Sequence, residues 1–119
     1  MKHDPAPEEL LPLPPATLHI LLALAETERH GYAIMQDVEA RTDGALRLSA
    51  GTLYRAIARM VEQGLIMEVG GKRRALADDE RRRYYRITSL GTAVARAEVR
   101  RLLQLVRHAR ARGLTPGVA

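Results

Sequence analysis

The chain of 119 residues carries 19 Lys and Arg against 14 Asp and Glu, for a net charge of +5, and contains no Cys, Trp or Phe. A core of this size buries roughly two-thirds of the surface of the unfolded chain, which leaves no room for a second domain, and without cysteine there is no disulfide, thiol nucleophile or Cys-ligated metal site. The longest apolar run, Ile20 to Ala25, falls far short of the roughly 20 residues that span a bilayer, and the acidic start (Asp4, Glu8, Glu9) lacks a signal-peptide pattern, so a soluble, cytoplasmic protein is expected.

Pro5, Pro7, Pro12, Pro14 and Pro15 crowd the first 15 residues, and an extended arm is expected over 1–14, with Leu10, Leu11 and Leu13 free to pack on a core or a partner. Pro15 suits a first helical turn, and Leu18, Leu21, Leu22 and Ala25 recur at helical spacing, which predicts a helix over 15–27. A second helix is predicted over 30–41, burying Ile34, Met35 and Val38, with Asp43-Gly44 as the turn after it. Ser49 is a good N-cap for a third helix over 50–63, whose apolar stripe is Leu53, Ile57, Met60 and Val61, and Gly64 fits its left-handed end.

The period then shifts from helical to alternating. Leu65, Met67 and Val69 are expected to share one face of a strand, and Tyr85 and Ile87 one face of another. Gly70-Gly71 and the charged stretch from Lys72 to Arg83 form a long hairpin loop between them. A last helix over 89–112, about 36 Å long, carries Ala95, Val99, Leu102, Val106 and Ala109 at alternating steps of four and three, a coiled-coil seam. With Leu103 beside the seam, this apolar surface is more than a domain this small covers alone, and a second copy is the expected partner. Residues 113–119 are expected to form a flexible tail.

Charge follows the same division. The net is −4 over residues 1–48, zero over 49–68, +4 over 69–89 and +5 over 90–112. Clustered cations gain most by neutralising phosphates and releasing counterions, so a polyanion is the natural partner of the C-terminal half.

Three short helices followed by a two-stranded hairpin is the order of a winged helix-turn-helix, a mainly α (α+β) fold, here over 15–88 with a dimerisation helix over 89–112. In that fold the third helix enters a major groove and the hairpin touches adjacent backbone. Opposite Leu53, Ile57 and Met60 the third helix offers Thr52, Arg55 and Arg59. Its start offers Ser49, Ala50 and Gly51, small residues whose backbone N–H groups suit a phosphate. Arg55 is the side chain best placed to pair with a guanine edge, and Arg59, one turn on, reaches backbone. In the wing, Lys72, Arg73, Arg74, Arg81, Arg82 and Arg83 flank an acidic knot, Asp78-Asp79-Glu80.

The sequence resembles the PadR-like transcriptional regulators. The resemblance spans about 16–112 and rests on His30-Gly31-Tyr32, Ser49-Ala50-Gly51-Thr52-Leu53-Tyr54, Gly64-Leu65-Ile66, Arg83-Tyr84-Tyr85-Arg86-Ile87-Thr88 and Leu90-Gly91, in this order. It implies a homodimeric repressor whose last helix makes the dimer, whose third helix and wing read a pseudo-palindromic operator in double-stranded DNA, and whose affinity a small effector lowers. It also implies DNA-facing roles for Ser49, Gly51, Thr52 and Tyr54. The single C-terminal helix is similar to the short subfamily, while four tyrosines and no Trp or Phe leave few rings for stacking a planar aromatic ligand.

Tyr85 reads as core, Tyr54 as either core or contact, Tyr32 as packing at the start of the second helix, and His30 as an aid to starting that helix. The four histidines are isolated, so neither metal nor another cofactor is expected, and no catalytic grouping is present. The alternative from another class is a winged-helix interaction module that docks its basic last helix on an acidic protein. Membrane attachment is disfavoured because the helix lacks aromatic anchors.

Overall fold

In a computed structural model the described residues are 6–70 and 83–115. The N-terminal segment forms one 3-10 turn, Pro7–Leu10, instead of a fully extended arm. Its Leu10, Leu11 and Leu13 pack partly against the core. Helix α1, Pro15–Ala23, opens on proline as predicted but ends four residues early, where Leu24 N–H bonds both Ile20 and Leu21 carbonyls and tightens the last turn. The buried face is Thr17, Ile20, Leu21 and Leu24, and Leu22 is exposed. The run is apolar on nearly every side, so its pattern does not say which face turns inward.

Helix α2, Gly31–Arg41, buries Ile34 and Val38, with Met35 half-buried. His30 is its N-cap, with Nδ1 accepting the Ala33 N–H at 3.1 Å. The turn after it places Asp43 and Gly44 at φ 51° and 78°. Arg41 ties α2 to α1: it donates to Asp37 at 2.7 Å and to the His19 carbonyl at 3.0 Å. Helix α3, Ala50–Glu62, buries Leu53, Ile57 and Met60, whereas Val61, expected in the stripe, is 40% exposed.

The end of α3 explains a second difference. Gly64 has φ 79°, its N–H bonds the Val61 carbonyl, and the Leu65 N–H bonds the Met60 carbonyl at 2.9 Å, a Schellman closure. Leu65 is thus buried as part of the helix stop, and strand parity begins one residue later. In β2, Ile66–Val69, Ile66 faces the core and Met67 faces out. The register pairs Ile66 with Ile87 and Glu68 with Tyr85 of β3, Tyr84–Ile87, so Ile66 joins Tyr85 and Ile87 on one face. A two-residue strand, β1 (Arg29–His30), adds to β3 and makes a three-stranded antiparallel sheet in the order β1-β3-β2. Two polar residues carry no alternation signal, so sequence pattern shows only two strands.

Helix α4, Ser89–Ala111, is capped by Thr88, whose Oγ1 accepts the Gly91 N–H at 3.0 Å and donates to the Gly64 and Leu65 carbonyls. Gly91 lies against the Leu65 carbonyl so closely that no Cβ fits between them. Val94, Ala97 and Glu98 are the last buried positions on α4, and the rest of the helix projects from the domain. Among the described residues no helix is long and apolar enough to cross a membrane.

Candidate nucleic-acid interface

Burial of Leu53, Ile57 and Met60 fixes the rotation of α3, and with it the outward direction of Thr52, Arg55 and Arg59, all three exposed. The Ser49 hydroxyl accepts the Thr52 N–H at 3.1 Å and donates to the Thr52 hydroxyl at 3.0 Å. One first-turn donor is thereby satisfied, while Ala50 and Gly51 keep N–H groups without a helical acceptor at the positive end of the helix dipole. The Arg55 guanidinium folds back over this end: its Nη1 lies 3.3 Å from the point a Gly51 Cβ would occupy. An exposed cation, two amides without a helical acceptor and two hydroxyls therefore share one helix start, a grouping that suits a phosphate or a base edge. Neither Arg55 nor Arg59 is ion-paired among the described residues.

Tyr54 is half-exposed, and its ring end lies on Gly31, where any Cβ would overlap the phenol oxygen. This contact joins the first turns of α2 and α3 and makes Tyr54 both a packing residue and a surface one. Tyr32, expected to pack at the start of α2, is 59% exposed instead, since burial of Ile34 and Val38 turns position 32 outward. His30 does start α2, and its ring also meets Tyr84 edge-on, with centroids 5.3 Å apart.

Of the wing cations, Lys72, Arg73, Arg74, Arg81 and Arg82 lie outside the described residues. Arg83 is exposed at the foot of β3, 3.8 Å from Glu68. Two further exposed arginines stand outside the contacts expected from the sequence. Arg86 stands on β3 opposite Met67, on the outer face of the sheet, and the alternation Tyr85-Arg86-Ile87 was its signal. Arg47, two residues before the α3 cap, places its guanidinium beside Gly44 and carries no periodic signal.

On α4, Val99, Leu102, Leu103, Leu105 and Val106 are all exposed, while Ala95 and Ala109 are half-buried, Ala95 against the chain's own core. Isolated exposed leucines are ordinary, but five large apolar side chains within eight residues form a patch.

The sequence model of the transcriptional regulator PadR-like family matches residues 20–97. The chain belongs to this family. The PadR-like chain is 33% identical over 90 residues to Transcriptional regulator Rv3488 of Mycobacterium tuberculosis, a match covering 76% of this chain and 78% of that one. It is 36% identical over 74 residues to an uncharacterised Lysinibacillus sphaericus protein, covering 62% of this chain and 65% of that relative, just under two thirds of its length. Among solved structures, a transcriptional regulator from Clostridium thermocellum superposes with a TM-score of 0.68 at 27% identity over 84% of this chain and 90% of that one. A PadR family regulator from Clostridium difficile R20291 gives 0.68 at 22% identity over 81% of this chain and 95% of that one, and shows the same fold. The family consists of transcription regulators, not enzymes, and implies DNA binding.

Proposed function

We propose that this PadR-like chain is a homodimeric repressor that binds a pseudo-palindromic operator through α3 and the wing and is released by a small effector. The observation that carries this reading is the two-sidedness of α3. Three buried apolar residues lock its inner face, and Thr52, Arg55 and Arg59 stand on the outer face at a capped, cation-bearing helix start. Arg55 then reads a base edge, Ser49, Gly51, Thr52 and Tyr54 meet backbone, and Arg59, Arg83 and the remaining wing cations, Lys72, Arg73, Arg74, Arg81 and Arg82, add phosphate contacts. The exposed patch of Val99, Leu102, Leu103 and Val106, continued by Ala95 and Ala109, supports a two-fold dimer through α4, which spaces two α3 helices for two half-sites. A cleft of about 470 Å³ between α1 and α4, lined by Leu21, Leu22, Ala25 and Val99 with Arg96 and Arg100 at its rim, supports a small effector with an apolar body.

Fluorescence anisotropy tests the reading with duplex DNA from upstream of the chain's own gene and a scrambled duplex of equal length, each at two salt concentrations. A preference of about a thousandfold or more for the upstream duplex is expected of a specific regulator. Absence of binding to either duplex at low salt would instead favour the interaction module docking on an acidic protein.

A further inference from the structure

Glu98 is the only acidic residue between Arg81 and the end of the chain, set among Arg96, Arg100 and Arg101. It is also 2% exposed. Both carboxylate oxygens are occupied: Oε1 accepts from Arg101 Nε at 2.6 Å, and Oε2 accepts from Arg101 Nη2 at 3.1 Å and from the Leu13 backbone N–H at 2.9 Å. A buried carboxylate is retained only where such partners compensate its desolvation, and a charge-assisted bond to a backbone amide fixes that backbone in place. The partner amide belongs to the N-terminal segment, whose 3-10 turn packs along α4. The bond therefore ties two elements 85 residues apart.

Its position along α4 matters as much as its chemistry. The helix is held at its start by Thr88 and Gly91 and along its first half by Val94 and Ala97, and among the described residues none after Glu98 is buried. Glu98 is the last buried side chain of α4, and beyond it the N-terminal segment follows the helix, with Glu8, Leu11 and Pro12 beside Arg100 and Arg101. The direction in which the exposed leucines project is set there.

We propose that the Glu98–Leu13–Arg101 clasp is a positioning device that fixes the angle between α4 and the winged helix and thereby the separation of the two DNA-reading α3 helices. This rests on the dimer reading given above. The lever is long. From Glu98 to Ala111 the helix runs about 20 Å, so a tilt of about 10° at the clasp displaces its end by about 3.5 Å, close to the rise of one base pair in a duplex. A clasp that held only to within 10° would leave half-site separation undefined by a base pair, so the rigidity of this one contact governs which operators fit.

The absence of cysteine makes the test direct, since one introduced thiol takes one spin label per chain. In a dimer, a label at Ala58→Cys, exposed on α3, reports the distance between heads, and a label at His108→Cys reports the distance between the two α4 helices. Glu98→Gln, Glu98→Ala and Arg101→Met are compared with the parent by double electron–electron resonance, with circular dichroism reporting the fold. The expected result is a head-to-head distance that shifts or broadens by about 3 Å or more while the α4 distance is unchanged, a split that general loss of stability would not give. In parallel, sites selected from a random-sequence duplex pool should share one half-site separation for the parent and span several for Glu98→Gln. Head-to-head distances that superimpose on the parent, or an unchanged single separation, overturn the clasp and leave the dimer standing. No spin–spin coupling at His108→Cys in the parent overturns the dimer reading and the clasp together.

Discussion

Replacing Gly91 by alanine sets two physical effects of opposite sign against each other. In an isolated helix the change stabilises by about 1 kcal/mol, because glycine has the larger backbone entropy to lose. In this fold the new methyl meets the Leu65 carbonyl, with Ile87 Cγ1 at 2.9 Å and the Leu65 carbonyl carbon at 3.0 Å. Backbone cannot swing aside as a side-chain tip can. The first turn of α4 has to lift, and with it the Thr88 hydroxyl bonds to the Gly64 and Leu65 carbonyls at 2.5 and 3.0 Å. Overpacking of this kind costs about 1–3 kcal/mol and each of the two lost bonds about 1 kcal/mol, so after subtracting the propensity gain the variant should be about 2–4 kcal/mol less stable. For a chain of this length that lowers Tm by about 8–16 °C. Thermal and urea unfolding followed by circular dichroism decide the matter, and a variant as stable as the parent, or more so, would refute the close-packed account of α4 docking.

Ser49→Ala should cost about 1 kcal/mol through loss of the α3 cap, read from the urea midpoint. Arg55→Ala should cost about 1–3 kcal/mol on the preferred duplex and little on scrambled DNA, whereas Arg86→Ala should weaken both and reduce the salt slope by about one, as binding titrations at several salt concentrations would show. Leu102→Glu should give a monomer in light scattering and lose operator binding with the dimer, and a dimer that persists would place the interface elsewhere. Burial, then the Arg41 charge, holds the His19 pKa below its ordinary value of 6.5, so the fold favours the neutral ring. Its contribution is full above pH 6.5 and falls as the pH drops below that value, a slope that His19→Gln should remove from urea midpoints measured between pH 7.5 and 5.

The helices were legible because each carried its own punctuation. Pro15 opens α1, Ser49 caps α3, Gly64 stops it, and the three positions Leu53, Ile57 and Met60 repeat at a spacing only a helix satisfies. What escaped had no local signature. The strand Arg29–His30 exists because β3 offers it an edge, and the parity of β2 depends on Leu65 being consumed by the helix stop. In the site, Thr52, Arg55 and Arg59 share an exposed face as their spacing predicted, and the Arg55 guanidinium lies over Gly51, one turn back, because helical side chains lean toward the helix start. Glu98 escaped for a related reason: a single acid in an arginine-rich helix reads as a surface ion pair until Leu13 is brought to it from the other end of the chain.

The short motifs that carry the family resemblance turn out to divide by physical task. Gly31 makes room for Tyr54, Gly91 for the Leu65 carbonyl, and His30 and Thr88 close helix starts, so these positions build the frame that holds α3 and α4. Arg47 and Arg59 lie outside those motifs, and Arg83 and Arg86, inside one of them, are exposed like the other two and pack nothing in the frame. A frame set by close contacts tolerates little change, because backbone and ring atoms leave no room, whereas an exposed arginine can be exchanged at little cost in stability. In the DNA-reading role proposed for α3, preference can therefore change through Arg55, Arg59 and their neighbours while the geometry that presents them stays fixed. The resemblance accordingly accounts for the frame, and in the proposed DNA-binding role the sequence read depends on side chains that the frame does not constrain.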